Sequence, residues 1–408
     1  GTSAIDALTT ANVAGLTTNA LAAFGSAQVA ALGTDLTALS TGQLSALTSV
    51  NIKGLTNSAI AALSSDQVKA LGDDVAALGT AAVAALTTAN VVGVTTAAMA
   101  ALSSDQVAAL GTDVAELGTA YMAALTTANI KGLTAATVTA LSSAQVAGLG
   151  SDATDMTTAQ LDALTTANVV GLTTAALAAM SSDQIATLAT DVTVLGTGYM
   201  SALTTANIKG LTVAAVAALT SDQVAALGTD AGGLTTAQLA ALTTTNLGGL
   251  TNNAVSAFTS AQIVAMGSDA VSLSTAALAA LTTASLAGLS TAAIAALTSA
   301  QVSSIGSDAI ALDSAQLGAL TSTNIVGLSS AALAAYSSDQ VAALGADAGV
   351  LTSLQLSALT STNGVGLTTA AVAALTSLNI AGMTSAVTPL LSSAPRPSRE
   401  PTAVRPPS

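Results

Sequence analysis

Thr235–Leu242 reads TTAQLAAL: a pair of hydroxyl residues, then an apolar side chain at the fifth position and another at the eighth. Ala, Leu and Gln form helix readily, and Ala is depleted in strands. Two positions three apart share a helix face, whereas a strand would send them to opposite sides of a sheet. One continuous helix is excluded too. At about 100° per residue, eight residues leave the apolar stripe rotated by roughly 80° from one segment to the next, so no face stays apolar for long. What remains is a string of very short helices with a bend at each hydroxyl pair.

Outward from this stretch the pattern holds register. The first segments are Gly1–Leu8, Thr9–Leu16, Thr17–Phe24 and Gly25–Leu32, followed by the seven-residue Gly33–Leu39. The set of five then repeats with a period of 39 residues, in blocks beginning at Gly1, Ser40, Gly79, Gly118, Thr157, Gly196, Thr235, Ser274, Asp313 and Thr352. A period of about 20 to 50 residues marks a stacked repeat architecture. Helices of one or two turns are unstable alone in water, so each must be held by its neighbours. The expected fold is an all-α repeat solenoid of very short N-capped helices, about five per 39-residue coil in ten coils, over residues 1–391. If five helices close one coil, residue n stacks on n+39. Leu8, Leu47, Leu86, Leu125, Leu164, Leu203, Leu242, Leu281, Leu320 and Leu359 then form an internal ladder.

The segment ends carry their own signals. Ser64 and Gln67, Ser103 and Gln106, Ser181 and Gln184, and Thr235 and Gln238 match the capping box, in which hydroxyl and amide satisfy exposed N–H groups reciprocally. Gly33, Gly72, Gly111, Gly150, Gly228, Gly267, Gly306 and Gly345 follow a terminal apolar residue, where a left-handed helix C-cap is expected.

Composition narrows the chemistry. Apolar residues make up 51% of the chain and aromatics 1%, so the core must be built of Ala, Leu and Val. There is no His, Cys or Trp. Disulfides, thiolate or imidazole metal ligands and Ser-His-Asp triads are therefore excluded. The net charge is −14 and the three Arg (Arg396, Arg399, Arg405) all lie near the C-terminus. Such a chain has no means of neutralising phosphates, and neither nucleic acid nor an anionic membrane surface is an expected partner. Hydroxyl pairs interrupt every apolar run well short of the roughly 18 residues a membrane span requires, so no membrane insertion is expected. Residues 392–408 (SSAPRPSREPTAVRPPS) hold five of the six Pro and read as a Pro/Arg-rich disordered tail. The chain opens at Gly1-Thr2-Ser3 already in register, as a piece of something longer would.

Three polar ladders recur. Asp35, Asp74, Asp113, Asp152, Asp191, Asp230, Asp269, Asp308 and Asp347 occupy the seven-residue segments and are weak calcium candidates. Calcium takes six to eight oxygens and carboxylates one coil apart cannot share an ion, so the favoured role is an acidic residue in a helix's first turn. Asn12, Asn51, Asn90, Asn129, Asn168, Asn207, Asn246, Asn324 and Asn363 recur in the second segment of each block, with Ser285 as the exception and Gly three positions later. The expected role is a buried Asn satisfying backbone, with Gly admitting the next coil; a ligand groove along that side is the alternative. The Thr and Ser pairs read as caps, ahead of glycosylation sites or an ice-matching hydroxyl array. Asp73 and Asp74 lack a partnering His or Arg, so no acid/base site is expected.

Thr235–Leu242 (TTAQLAAL), Thr126–Leu133 (TTANIKGL) and Ser103–Leu110 (SSDQVAAL) resemble the Thr-Thr-Ala-Gln-Val-Ala-Ala-Leu repeats of very large bacterial secreted and cell-surface proteins. The resemblance implies a structural or adhesive module and transfers no functional residues. The expectation is a non-enzymatic extracellular or cell-surface module without cofactor: a stalk, an adhesin shaft or a filament that self-associates end to end or side by side. Polysaccharide binding, with Tyr121 and Tyr199 as aromatic platforms, is the alternative, and ice binding a further one.

Overall fold

A computed structural model describes residues 1–383, so the expected tail at 392–408 and the end of the array lie outside the described residues. The chain divides into two compact units, Gly1–Ala218 and a second that begins at Leu219. The same local architecture recurs within each. Among the described residues every regular element is an α- or 3-10 helix, none longer than seven residues. None is long and apolar enough to cross a membrane. A typical segment starts with a cap residue in extended backbone, such as Thr56 at φ −77° and ψ 155°, and runs one helical turn or slightly more; the chain returns to extended backbone at Leu63 but stays helical at Leu71, where a 3-10 helix follows. The Ser64 hydroxyl accepts from the Gln67 N–H at 3.2 Å while the Gln67 Oε1 accepts from the Ser64 N–H at 2.9 Å. The all-α repeat solenoid of short capped helices is thus the observed architecture.

The number of helices per coil differs from five. In the first compact unit, helix Thr96–Ala101 packs on the 3-10 helix Gly72–Ala77, and Ser143–Gly148 on Thr119–Met122. In the second, Thr291–Ala296 packs on Gly267–Ser272 and Thr369–Ala374 on Gly345–Val350. Each partner lies three segments away. Side-chain hydrogen bonds reach slightly further, to the end of the fourth segment back: Asn51 Nδ2 donates to the Leu21 and Phe24 carbonyls. A coil therefore closes in between three and four segments, and the 39-residue block is a period of the sequence longer than one turn of the structure. The physical reason is volume. Five helices around an axis leave a channel that Ala, Leu and Val cannot fill to native density, whereas three or four leave a core these side chains close.

The inward positions are those expected. Leu47, Leu86, Leu125, Leu164 and Leu203 are at most 5% exposed. Leu8, in the first coil, is half-buried. They occupy equivalent sites five segments apart and do not stack directly on one another. The fifth position is buried alongside the eighth, as with Leu239 and Leu242. Each such side chain contributes roughly 1.5–3 kcal/mol by leaving water.

Two glycine positions carry conformational demands. Two of the glycines that start six-residue 3-10 helices show one demand: Gly111 adopts φ 57° and ψ −140°, and Gly267 φ 56° and ψ −132°. This is a different region from the expected left-handed cap, which needs ψ near +47°. It swings the chain directly from an α-turn into a 3-10 turn. The other glycine admits a neighbour: a Cβ on Gly132 would collide with the Ser104 carbonyl oxygen and the Val107 Cβ.

Candidate functional site

The most regular chemistry in the molecule lies at the fourth position of the first, second and fourth segments of a block. There a Gln or Asn side chain ends one helix-free stretch and begins the next helix. Its oxygen caps its own helix, as when Gln145 Oε1 accepts from the Ser142 N–H at 2.8 Å. Its nitrogen crosses to the preceding coil, where Gln145 Nε2 donates to the Ala115 carbonyl at 2.8 Å and the Leu117 carbonyl at 2.7 Å. Asn does the same over a shorter reach: Asn168 Oδ1 accepts from the Thr165 N–H, and Nδ2 donates to the Val138 and Leu141 carbonyls. The second compact unit repeats this at Gln316 and Asn324. These amides are almost fully buried, Asn129 at 1% and Gln160 at 3% exposed. One side chain thus satisfies orphan groups at the start of one helix and the end of another.

The expected Asn role is observed, and the Gln boxes form as expected. What the sequence reading missed is the second half of each amide, the bridge to the coil before it. The available signal was the recurrence of Gln at a position where a solvent-exposed cap would tolerate Glu equally well.

Departures at the bridging position are informative. Tyr121 and Tyr199 replace Gln there, and their hydroxyls donate to the Val92 and Val170 carbonyls at 3.3 and 2.8 Å. Both follow a Gly cap, Gly118 and Gly196, which has no side chain to complete a box. The expected sugar platforms are therefore partly committed to bridging. Thr137, 1% exposed, stands where other blocks carry Ala and donates to the Gly111 carbonyl. Ala82, Ala277 and Ser285 bring no amide to the position at all.

The nine Asp side chains of the calcium ladder sit half-buried at the third residue of each seven-residue segment, in the first turn of its 3-10 helix. Among the described residues no three acidic side chains converge on a common point. The ladder is placed as first-turn residues are, where free N–H groups favour a negative charge. Burial, and secondarily the charge of Glu116, hold the Asp113 carboxyl above its ordinary range. Asp73 accepts a hydrogen bond from the Thr95 hydroxyl at 3.1 Å. Beside it lies a cleft of about 260 Å³ lined by Lys69, Val92, Thr95, Thr96 and Tyr121. Tyr336 lies inside the second compact unit, its hydroxyl bonded to the Ala309 carbonyl, and burial raises its pKa.

Residues 1–34, 36–73, 114–151, 155–190, 192–229 and 309–346 match the ALTTAQ repeat. The matches beginning at 36, 114, 192 and 309 are separated by whole multiples of the 39-residue period. No curated protein and no solved structure matches the chain. The matched segments cover more than half of the sequence, and they contain the capping and bridging amides just described; the chain belongs to the ALTTAQ repeat family.

Proposed function

We propose that this chain is a non-enzymatic structural module, a stalk, shaft or self-assembling filament segment at a bacterial surface or outside the cell. The observation that carries this reading is where the polar chemistry goes. The buried Gln and Asn amides are spent on joining coil to coil, and the hydroxyl pairs on capping. Their regular recurrence makes a construction that lengthens by adding blocks, as repeat arrays do.

Electron microscopy with sedimentation of the purified chain tests the reading. Fibres or concentration-dependent oligomers support the filament form, and a strictly monomeric particle at high concentration removes it. Antibody labelling of intact cells tests the surface location. A second reading, polysaccharide binding, is favoured by the Lys69–Tyr121 cleft, which offers a ring face, a cation and hydroxyls. Glycan binding lost in the Tyr121→Ala/Tyr199→Ala double variant would promote it.

A further inference from the structure

We propose that Ser274–Leu297 forms a built-in opening seam of the second compact unit, a place where one coil separates from the coil before it while the rest stays stacked. It rests on two adjacent departures from the bridging pattern. In the block beginning at Asp313, Gln316 donates to the Leu286 and Leu289 carbonyls, and Asn324 to those of Ile294 and Leu297. In the block before it, Ala277 and Ser285 occupy the same two positions, both 0% exposed. Ala277 has no donor. Ser285 turns back on its own segment, its hydroxyl accepting from the Thr282 N–H at 2.9 Å and donating to the Thr282 carbonyl at 3.0 Å. The carbonyls of Leu250 and Phe258, which an amide at these positions would reach, have no donor among the described residues, although both residues are at most 4% exposed.

The coils have not moved apart to compensate. A Cβ on Gly288 would still collide with the Ser260 carbonyl, as at the equivalent glycines of fully bridged coils. The seam is therefore closed mainly by apolar packing, through Leu278, Leu281, Leu286 and Leu289. Between the bridging Gln262 and Gln301 no side-chain amide crosses between coils, and the one side-chain bond that does, Ser290 Oγ to the Gly267 carbonyl, is 3.5 Å long. Elsewhere in this unit consecutive bridges follow within two segments. Two effects act in the same direction. The closed seam lacks the bonds that hold other coils, and opening it gives water access to carbonyls that are unpaired when it is shut.

Hydrogen–deuterium exchange on the full chain tests the seam. Peptides from 250–258 and 274–297 should exchange at least about tenfold faster than the equivalent 328–336 and 352–375, which Gln355 and Asn363 bridge. The double variant Ala277→Gln/Ser285→Asn should slow them to the rate of their neighbours. A second variant guards against a side chain that fails to fit: Asn324→Ser should create new fast exchange at 313–336, which is slow in the parent chain. Equal or slower exchange at 274–297 in the parent chain overturns the proposal. So does an Asn324→Ser chain that exchanges like the parent, because the bridges would then not control opening.

Discussion

Ala189 stands where eight blocks place a glycine, and it holds φ at 46°. The glycines at this junction combine positive φ with ψ near −135°, a region that costs a residue with a Cβ roughly 1–3 kcal/mol. Ala189→Gly should therefore stabilise the first compact unit by about 1 kcal/mol despite glycine's greater freedom when unfolded, raising its melting temperature by a few degrees. A lowered melting temperature would show the junction to be relaxed with alanine. The opposite substitution at the close-approach glycine should be harmful. Gly132→Ala drives a Cβ into the Ser104 backbone and should cost several kcal/mol, whereas Gly79→Ala, with nothing within 4 Å, should be nearly neutral. Calorimetry of the two variants separates close coil approach from general helix propensity.

At the scale of the element, the question is which half of the amide matters more. Ser142 and Gln145 satisfy the capping-box pattern, in which Glu serves as well as Gln. On that pattern alone Gln145→Glu is conservative. The bridge reverses the expectation, since a carboxylate keeps the acceptor for Ser142 but faces the Ala115 and Leu117 carbonyls with no proton to offer. Gln145→Glu should destabilise by about 2–4 kcal/mol at neutral pH, with partial recovery in acid as the carboxyl gains a proton and becomes a donor. Chemical denaturation at two pH values checks it. Asp113 shifts in the same sense for a milder reason. Its pKa is raised in the folded chain, so its protonated form favours folding and stability declines as pH rises through its titration.

These elements also show how far the residues could be read in advance. Apolar spacing of three inside a segment of eight dictated short helices, and the hydroxyl and Gln pairs dictated where they begin, because both signals are local. The bridge was hidden because its acceptors lie 27 to 30 residues back, and only the way the coils close brings them together. The coil itself was misjudged for a related reason. The composition repeats every 39 residues because of which segments carry Gln, Asn, Ala and Asp, while the coil is set by how many small-core helices fit round an axis. The Tyr121 cleft was not legible as a cleft, since Lys69, Thr95 and Tyr121 come from three different segments.

At the scale of the molecule, stacked coils make damage local. Leu125 is 2% exposed at an inward eighth position, and Ala123 two residues earlier is exposed. Leu125→Asp places an unpaired carboxylate in the core and should melt its own and adjoining coils, while Ala123→Asp should cost less than about 0.5 kcal/mol. Circular dichroism melts should show a large early loss of helicity for the first and an unchanged curve for the second. Ala241 is half-buried, so Ala240 is the matching exposed control in the second compact unit.

The central claim is that a coil closes in three to four segments, and it can be tested with two cysteine pairs in a chain that has none of its own. The Thr139 hydroxyl donates to the Ala163 carbonyl at 3.1 Å, a neighbour three segments on. Ala178 is the residue one full 39-residue block beyond Thr139. The measurement is the rate of crosslinking by a short bismaleimide in Thr139→Cys/Ala163→Cys against Thr139→Cys/Ala178→Cys. Fast intramolecular linkage in the first pair, with the second pair unlinked, is the result the structure predicts. Preferential linkage of the second pair would restore the five-helix coil and contradict it.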